Sequence, residues 1–252
     1  MKNNKKNIAL ILAAGASSRF NDLGEEDICL PEKLKQYLIH EDKYLIQHSI
    51  DCFFELTGDK IGDKFEKILI AIRPEDNDFF NKEILKKYSE KEKDAIKICF
   101  GGKTRSESVF NGLKFISENF KEKFDYIVIH DGVRPFVKKD LIDSLFEKVI
   151  NKNIDCAFPA IKVIDSVRLI KGDIFSTANR DNMYLVQTPQ IFDFEKLNLC
   201  FNFEVKSYGE DEVCMNFYDE ITMMEKYGGR IDFVKGHKDN IKVTFKDDLD
   251  KK

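Results

Sequence analysis

The residues best placed to do chemistry lie between Leu12 and Gln36. There a run of small residues, Ala13-Ala14-Gly15-Ala16-Ser17-Ser18, ends at Arg19, and an acidic stretch leads on to Lys33 and Lys35. Small residues let backbone N–H groups come close to a ligand, and cations at both ends of such a loop suit an anion. The chemistry this predicts is nucleoside triphosphate binding. Two later stretches share the same polar, Gly-bearing, cationic character: Gly101-Gly102-Lys103-Thr104-Arg105-Ser106-Glu107-Ser108 and His130-Asp131-Gly132-Val133-Arg134-Pro135. Each has an ordinary reading too. Gly101-Gly102 serves as a turn before a helix, Thr104 or Ser106 as a helix cap, and Asp131 as a turn residue. Gly15 stands without the other glycines of G-x-G-x-x-G, and G-x-x-x-x-G-K-[ST] is absent, which argues against a dinucleotide cofactor and a P-loop. His130 reads as structural.

Those residues need elements to hold them. Apolar runs at 8–12, 68–72, 95–100 and 126–129 predict buried strands, and helical spacing at 44–56, 77–91 and 106–118 predicts helices between them. Short strands alternating with helices imply crossover connections. The expected fold is therefore Rossmann-like α/β, a mostly parallel sheet with helices on both faces. Such folds bind ligands beyond the carboxyl ends of the strands, which is where all three polar stretches fall. From about residue 160 the pattern changes. Alternation through Val163, Asp165, Val167 and Leu169, with a turn at Lys171-Gly172-Asp173, predicts a two-stranded arm at about 162–180. A hairpin standing off a sheet rarely folds alone, so the arm is expected to dimerise the protein by packing against a second copy. A helix over 211–227 and a strand over 231–234 close the chain. Residues 1–252 read as a single domain with the arm at about 162–180 as a subregion.

Composition narrows the function further. Among 252 residues, 41 Lys and Arg face 45 Asp and Glu, a net charge of −4, which argues against nucleic acid as the default partner. No apolar stretch approaches the roughly 20 residues needed to span a bilayer, and the polar start lacks a signal-peptide core. The six cysteines include no C-x-x-C pair, and the four histidines are dispersed, so no zinc site is expected. Scattered reduced thiols and the absence of membrane signals place the protein in the cytoplasm.

Seven motifs in chain order carry a resemblance: Leu12-Ala13-Ala14-Gly15 with Arg19; Lys35-Gln36-Tyr37-Leu38; Gly101-Gly102 with Arg105 and Ser108-Val109; His130-Asp131 with Arg134-Pro135; Asp165-Ser166; Gln187-Thr188-Pro189-Gln190; and Asp239-Asn240-Ile241-Lys242-Val243-Thr244. Together they resemble the 2-C-methyl-D-erythritol 4-phosphate cytidylyltransferases. The resemblance implies transfer of CMP from CTP to a polyol phosphate, with Mg²⁺ neutralising the phosphates and pyrophosphate released. It implies Arg19, Lys35, Arg180 and Lys242 as catalytic residues. It also implies a nucleotide pocket from Ala13, Ala14, Gly15, Gly102, Arg105, Ser108 and Asp131, with Asp131 a candidate metal contact. Ser166, Arg180, Thr188 and Lys242 would bind the acceptor, Arg180 from the arm of a partner. Asp219-Glu220 would orient cations or cap a helix. Leu34 stands where the family has Pro before its catalytic Lys, which leaves Lys33 and Lys35 as alternatives, and Tyr218 replaces the family's common Thr. Met183-Tyr184 leans toward ribitol 5-phosphate as the alternative acceptor, and Asn111-Gly112-Leu113 leans toward methylerythritol phosphate. A nucleotide-binding module without catalysis is a third reading. The acidic stretch over 21–32 reads as a solvent loop or a lid.

Overall fold

The computed structural model describes residues 5–15, 34–56, 65–209, 217–244 and 248–249. Arg19, Lys33 and the acidic stretch over 21–32 lie outside these residues. The first strand, β1 (Asn7–Leu12), has parallel neighbours on both sides, β4 (Lys67–Ile72) and β6 (Tyr126–Asp131), and β5 (Ile96–Phe100) extends the sheet beyond β4. Between β1 and β4 come a small hairpin, β2 (Ile39–His40) with β3 (Lys43–Tyr44), and helix α1 (Leu45–Phe54).

Side-chain alternation explains why helices cover both faces. Ala9, Ile11, Ile68 and Ile70 point to one side with Ile50 and Phe53 of α1, while Ile8, Leu10, Leu69 and Ala71 point to the other. A strand buried on both faces reads as a continuous apolar run, and β1 does. The second face is covered by α4 (Arg105–Asn119), and the first also by α5 (Lys139–Lys152).

The other half of the sheet is mixed. β7 (Cys156–Lys162) runs antiparallel to β10 (Tyr184–Val186) and β11 (Gln190–Asp193), and β11 joins the antiparallel edge of β6. The final strand, β12 (Ile231–Lys235), pairs parallel with β7. The expected mostly parallel α/β sheet is therefore present. Between β7 and β10 stands the arm, β8 (Arg168–Lys171) and β9 (Ile174–Thr177), turning at Gly172 with φ +59°, where glycine avoids Cβ strain. All eight arm residues are exposed, including Leu169, Ile170, Ile174 and Phe175.

Several elements differ from expectation. The helix expected over 77–91 is broken into α2 (Asn77–Phe79), a π turn (Phe80–Ile84), a 3-10 turn (Leu85–Lys87) and α3 (Glu90–Ala95). Ser89 and Glu92 form a reciprocal capping box that starts a new helix, a local signal stronger than the charge pattern around it. Of the helix expected over 211–227, the described part is α7 (Glu220–Lys226), because the Asp219 carboxylate accepts from Thr222 N at 3.0 Å and caps it there. Helices α5 and α6 (Phe194–Tyr208) and strand β7 are absent from the sequence reading. In β7, Pro159 argues against a strand, but its carbonyl accepts from Gln187 N at 2.8 Å, so it sits in the ladder as an acceptor.

Candidate active site

Strand register brings the three polar stretches together. Leu12 pairs with Ala71 on one side and Asp131 on the other, and Ile72 pairs with Phe100, so these strands end at one edge. The chain runs from β1 out to β5 on one side and then crosses to β6, which makes the β1–β6 boundary a switch point. The crossing approach is tight: a Cβ on Gly101 would lie 2.4 Å from the Ala14 Cβ, so glycine is required there.

A cavity of about 220 Å³ opens at this edge. Its walls carry Ala13, Ala14 and Gly15 after β1, Gly102 and Arg105 at the start of α4, and Ser108 one turn on. Lys35, Lys103, Asp131 and Lys242 complete its charged lining. The N-terminus of α4 faces the cavity, with Thr104 capping it by accepting from Glu107 N at 3.1 Å. A helix start of this kind favours an anion. Ser108 Oγ accepts from Gly102 N at 3.0 Å and donates to Thr104 O at 2.9 Å, so it shapes the turn that borders the cavity.

Lys35 heads a 3-10 turn, Lys35–Tyr37, anchored on both sides. Gln36 Nε2 donates to Ala13 O at 2.9 Å and Gly15 O at 3.2 Å, which ties the turn to the small-residue loop. Tyr37 Oη donates to Asp76 Oδ2 at 3.3 Å, and Asp76 in turn holds Arg73.

Asp131 is the electrostatic centre. Lys242 Nζ lies 2.8 Å from its Oδ2, Arg105 Nε lies 3.3 Å from its Oδ1, and Arg134 Nε lies 3.7 Å from Oδ2. Burial alone would raise its pKa, but Lys242, Arg105 and Arg134 outweigh that and hold the carboxyl ionised well below the usual range. Behind it runs a satisfied chain. His130 Nε2 faces Arg134 O at 3.2 Å and therefore carries the proton, which leaves Nδ1 to accept from Thr188 Oγ1 at 3.2 Å. Thr188 Oγ1 in turn accepts from Asp131 N at 3.0 Å. Burial pushes the His130 pKa down to about 3, so the ring is neutral and structural, as the sequence implied.

Lys242 is carried on a loop without its own secondary structure, and that loop is pinned by a bulge between β10 and β11. Gln187 Nε2 donates to His237 O and Asn240 O, Asn240 Nδ2 donates to Thr188 O at 2.8 Å, and Arg134 Nη1 donates to Asn240 O at 2.7 Å. The peptide bond between Thr188 and Pro189 is cis.

The pocket thus gathers Ala13, Ala14, Gly15, Lys35, Gly102, Arg105, Ser108, Asp131 and Lys242. Thr188 stands behind it, 4% exposed, with its hydroxyl used internally. Ser166 and Arg180 lie on the exposed arm side and do not line the cavity, and Arg180 Nη1 donates to Ile164 O. Gln36, Arg134, Gln187 and Asn240 have no individual role in the sequence reading. Their partners are 21 to 106 residues away in sequence, so only the fold reveals them.

The family described as IspD, 2-C-methyl-D-erythritol 4-phosphate cytidylyltransferase, matches residues 8–251. The chain belongs to this family. The 2-C-methyl-D-erythritol 4-phosphate cytidylyltransferase of Clostridioides difficile (strain 630) is 31% identical over 244 residues, covering 95% of this chain and 89% of that protein. The bifunctional enzyme IspD/IspF of Pelagibacter ubique (strain HTCC1062) is 33% identical over 95% of this chain, and this chain spans only 55% of its length. Among solved structures, Francisella tularensis 2-C-methyl-D-erythritol 4-phosphate cytidylyltransferase (IspD) matches with TM-score 0.73 at 28% identity, covering 98% of this chain and 97% of that one. Membership makes the chain a cytidylyltransferase by family, with the α/β fold those structures share.

Proposed function

We propose that this chain transfers CMP from CTP to 2-C-methyl-D-erythritol 4-phosphate, giving 4-diphosphocytidyl-2-C-methyl-D-erythritol and pyrophosphate. The observation that carries the reading is the single cavity edge on which Lys35, Lys242, the α4 N-terminus and the Ala13–Gly15 loop converge. Family membership names the reaction and favours methylerythritol phosphate over ribitol 5-phosphate.

The acceptor's phosphate oxygen attacks the α-phosphorus of CTP in line. The new P–O bond forms as the bond to the β-phosphate bridge breaks, and pyrophosphate carries the electron pair away. No protein nucleophile is needed, and catalysis rests on placement and fixed positive charge. Lys35 and Lys242 supply that charge from the described residues, and Arg19 is assigned the same task by resemblance. Backbone groups of Ala14, Gly15 and Gly102 face the base and sugar.

A divalent cation, Mg²⁺ by expectation, would enter on the triphosphate and neutralise its charge. Among the described residues no group of three His, Cys, Asp or Glu side chains could hold a metal, and Asp131 is the acidic side chain lining the pocket. The donor set therefore suits an ion carried mainly by phosphate oxygens, with Asp131 as its protein contact when Lys242 moves to phosphate.

Acceptor binding is assigned to Lys242 on the pocket rim, and to Ser166 and Arg180 as groups reaching a neighbouring subunit's pocket from a homodimer arm. Exposed Leu169, Ile170, Ile174 and Phe175 support the dimer, since apolar side chains at that density call for a covering surface. Thr188 is assigned a supporting role behind Asp131. The family match over nearly the whole chain supports one nucleotidyltransferase domain. No helix among the described residues is long and apolar enough to cross a membrane. Free thiols at Cys52, Cys99, Cys156 and Cys200 support work in the reducing cytoplasm. The reaction is tested by incubating the chain with CTP, Mg²⁺ and the acceptor and identifying products by mass spectrometry. Formation of the cytidine diphosphate adduct with equimolar pyrophosphate is expected, and pyrophosphate release without adduct would refute the reading.

A further inference from the structure

Helix α7 places a carboxylate beneath the pocket that the transfer chemistry does not use. Glu220 is buried, and its Oε2 accepts from Arg105 Nη1. The same guanidinium reaches Asp131 Oδ1 through Nε at 3.3 Å. Arg105 is therefore strung between two carboxylates, one from β6 and one from an element more than a hundred residues further along the chain. Among the described residues its Nη2 and Glu220 Oε1 are buried with no hydrogen-bond partner. A buried ion pair with unmatched atoms on both sides is a poor way to gain stability. Its geometric consequence is clearer.

An arginine facing a lone carboxylate tends to take both oxygens with its fork. Asp131 has a second claimant, because Lys242 Nζ sits on Oδ2 at 2.8 Å. Glu220 holds Nη1 and so fixes how the guanidinium is turned: among the described residues Arg105 meets Asp131 through Nε alone, its Nη2 bonded to neither carboxylate. We infer that Glu220 is a positioning residue for the nucleotide site: by holding Nη1 it confines Arg105 to one oxygen of Asp131 and reserves the other for Lys242. The charge order Glu220, Arg105, Asp131, Lys242 then fixes two of the cavity's cations at once. Without Glu220, Arg105 closes as a fork on Asp131, displaces Lys242 and withdraws from the cavity wall. This inference rests on the cavity being the CTP site, and it ties α7 to nucleotide binding although α7 does not line the cavity.

The test is a cycle of CTP affinities measured by calorimetry, with steady-state KM values for CTP and acceptor alongside. Glu220→Gln keeps the side-chain shape and is expected to weaken CTP binding about tenfold, the order of one lost charge-assisted hydrogen bond. The acceptor KM is expected to rise as well, because the Lys242 displaced by Arg105 also serves the acceptor's phosphate. In the Arg105→Gln background the same substitution is expected to cost less than about twofold, since Glu220 acts only through Arg105. If Glu220→Gln does not fold, Glu220→Asp, which keeps the charge but shortens its reach to Arg105, replaces it in both backgrounds. A loss of CTP affinity with Arg105 present and none in the Arg105→Gln background supports the inference. Unchanged CTP affinity in Glu220→Gln, or an equal loss in both backgrounds, overturns it. Failure of the unmodified chain to bind CTP would instead overturn the proposed function, and the inference with it.

Discussion

Lys242 and Asp131 meet 2.8 Å apart at the cavity rim, and Lys242 keeps 39% of its side chain exposed. A cation so placed can leave its carboxylate for a phosphate without disturbing the core. Lys242→Met, which keeps the stem and removes the charge, is expected to lower turnover about 10²- to 10³-fold, the scale of losing one transition-state donor. Its melting temperature should change little, and pyrophosphate release beside a thermal melt checks both. His130 gives a different kind of prediction. Its folded pKa, pushed down to about 3 by burial, lies below the unfolded value near 6.5. Between those two values the unfolded chain binds the proton and the folded one does not, so stability falls as pH drops below about 6.5. The His130 share of that fall approaches about 1.4 kcal/mol per pH unit in the middle of the window. Urea unfolding from pH 7.5 to pH 4.5 should show a shallower slope in His130→Gln than in the unmodified chain. Equal slopes would mean that the ring does not stay neutral.

At the scale of elements, the bulge between β10 and β11 links Asp131 to the loop that carries Lys242. Thr188→Val is nearly isosteric but strips Asp131 N–H and His130 Nδ1 of their shared partner. An expected loss of about 1–3 kcal/mol follows from leaving buried polar groups unpaired, and chemical denaturation would measure it. The arm makes a second prediction. Replacing the β8–β9 hairpin with a short Gly-Ser link should convert a dimer to a monomer by light scattering, with little change in far-UV circular dichroism. A monomeric full-length chain would refute the arm's proposed role. These elements also show what the sequence could convey. The strands around β1 were legible because double burial leaves an unbroken apolar run, and the three site loops because glycine and cations follow each strand. The apolar stripe of α5, Leu141, Ile142, Leu145, Phe146 and Val149, carries a helical period that the sequence reading passed over. β7 was hidden by Pro159, whose acceptor role depends on Gln187 across the sheet. Gln36 could not be read as an anchor, because a buried polar side chain is explained only by its partner, whereas for Glu220 the resemblance implied the orienting of a cation without naming Arg105.

For the molecule as a whole, a net charge of −4 coexists with a pocket whose described lining is cationic, from Lys35, Lys103, Arg105 and Lys242. The overall charge discourages polyanions such as nucleic acid, while the pocket concentrates positive potential on a triphosphate. The sheet edge supplies the placement, and distant segments supply the charges: α4, the loop after β12, and α7 from beneath. Both the methylerythritol and ribitol acceptors present a phosphate to that rim, so choice between them is a matter of the polyol end. The most direct measurement is a competition. Equimolar 2-C-methyl-D-erythritol 4-phosphate and ribitol 5-phosphate are offered with limiting CTP and Mg²⁺, and the two cytidine diphosphate products are quantified by mass spectrometry. The methylerythritol adduct is expected to dominate, with one pyrophosphate released per adduct. Predominance of the ribitol adduct, or no adduct at all, would contradict the assignment.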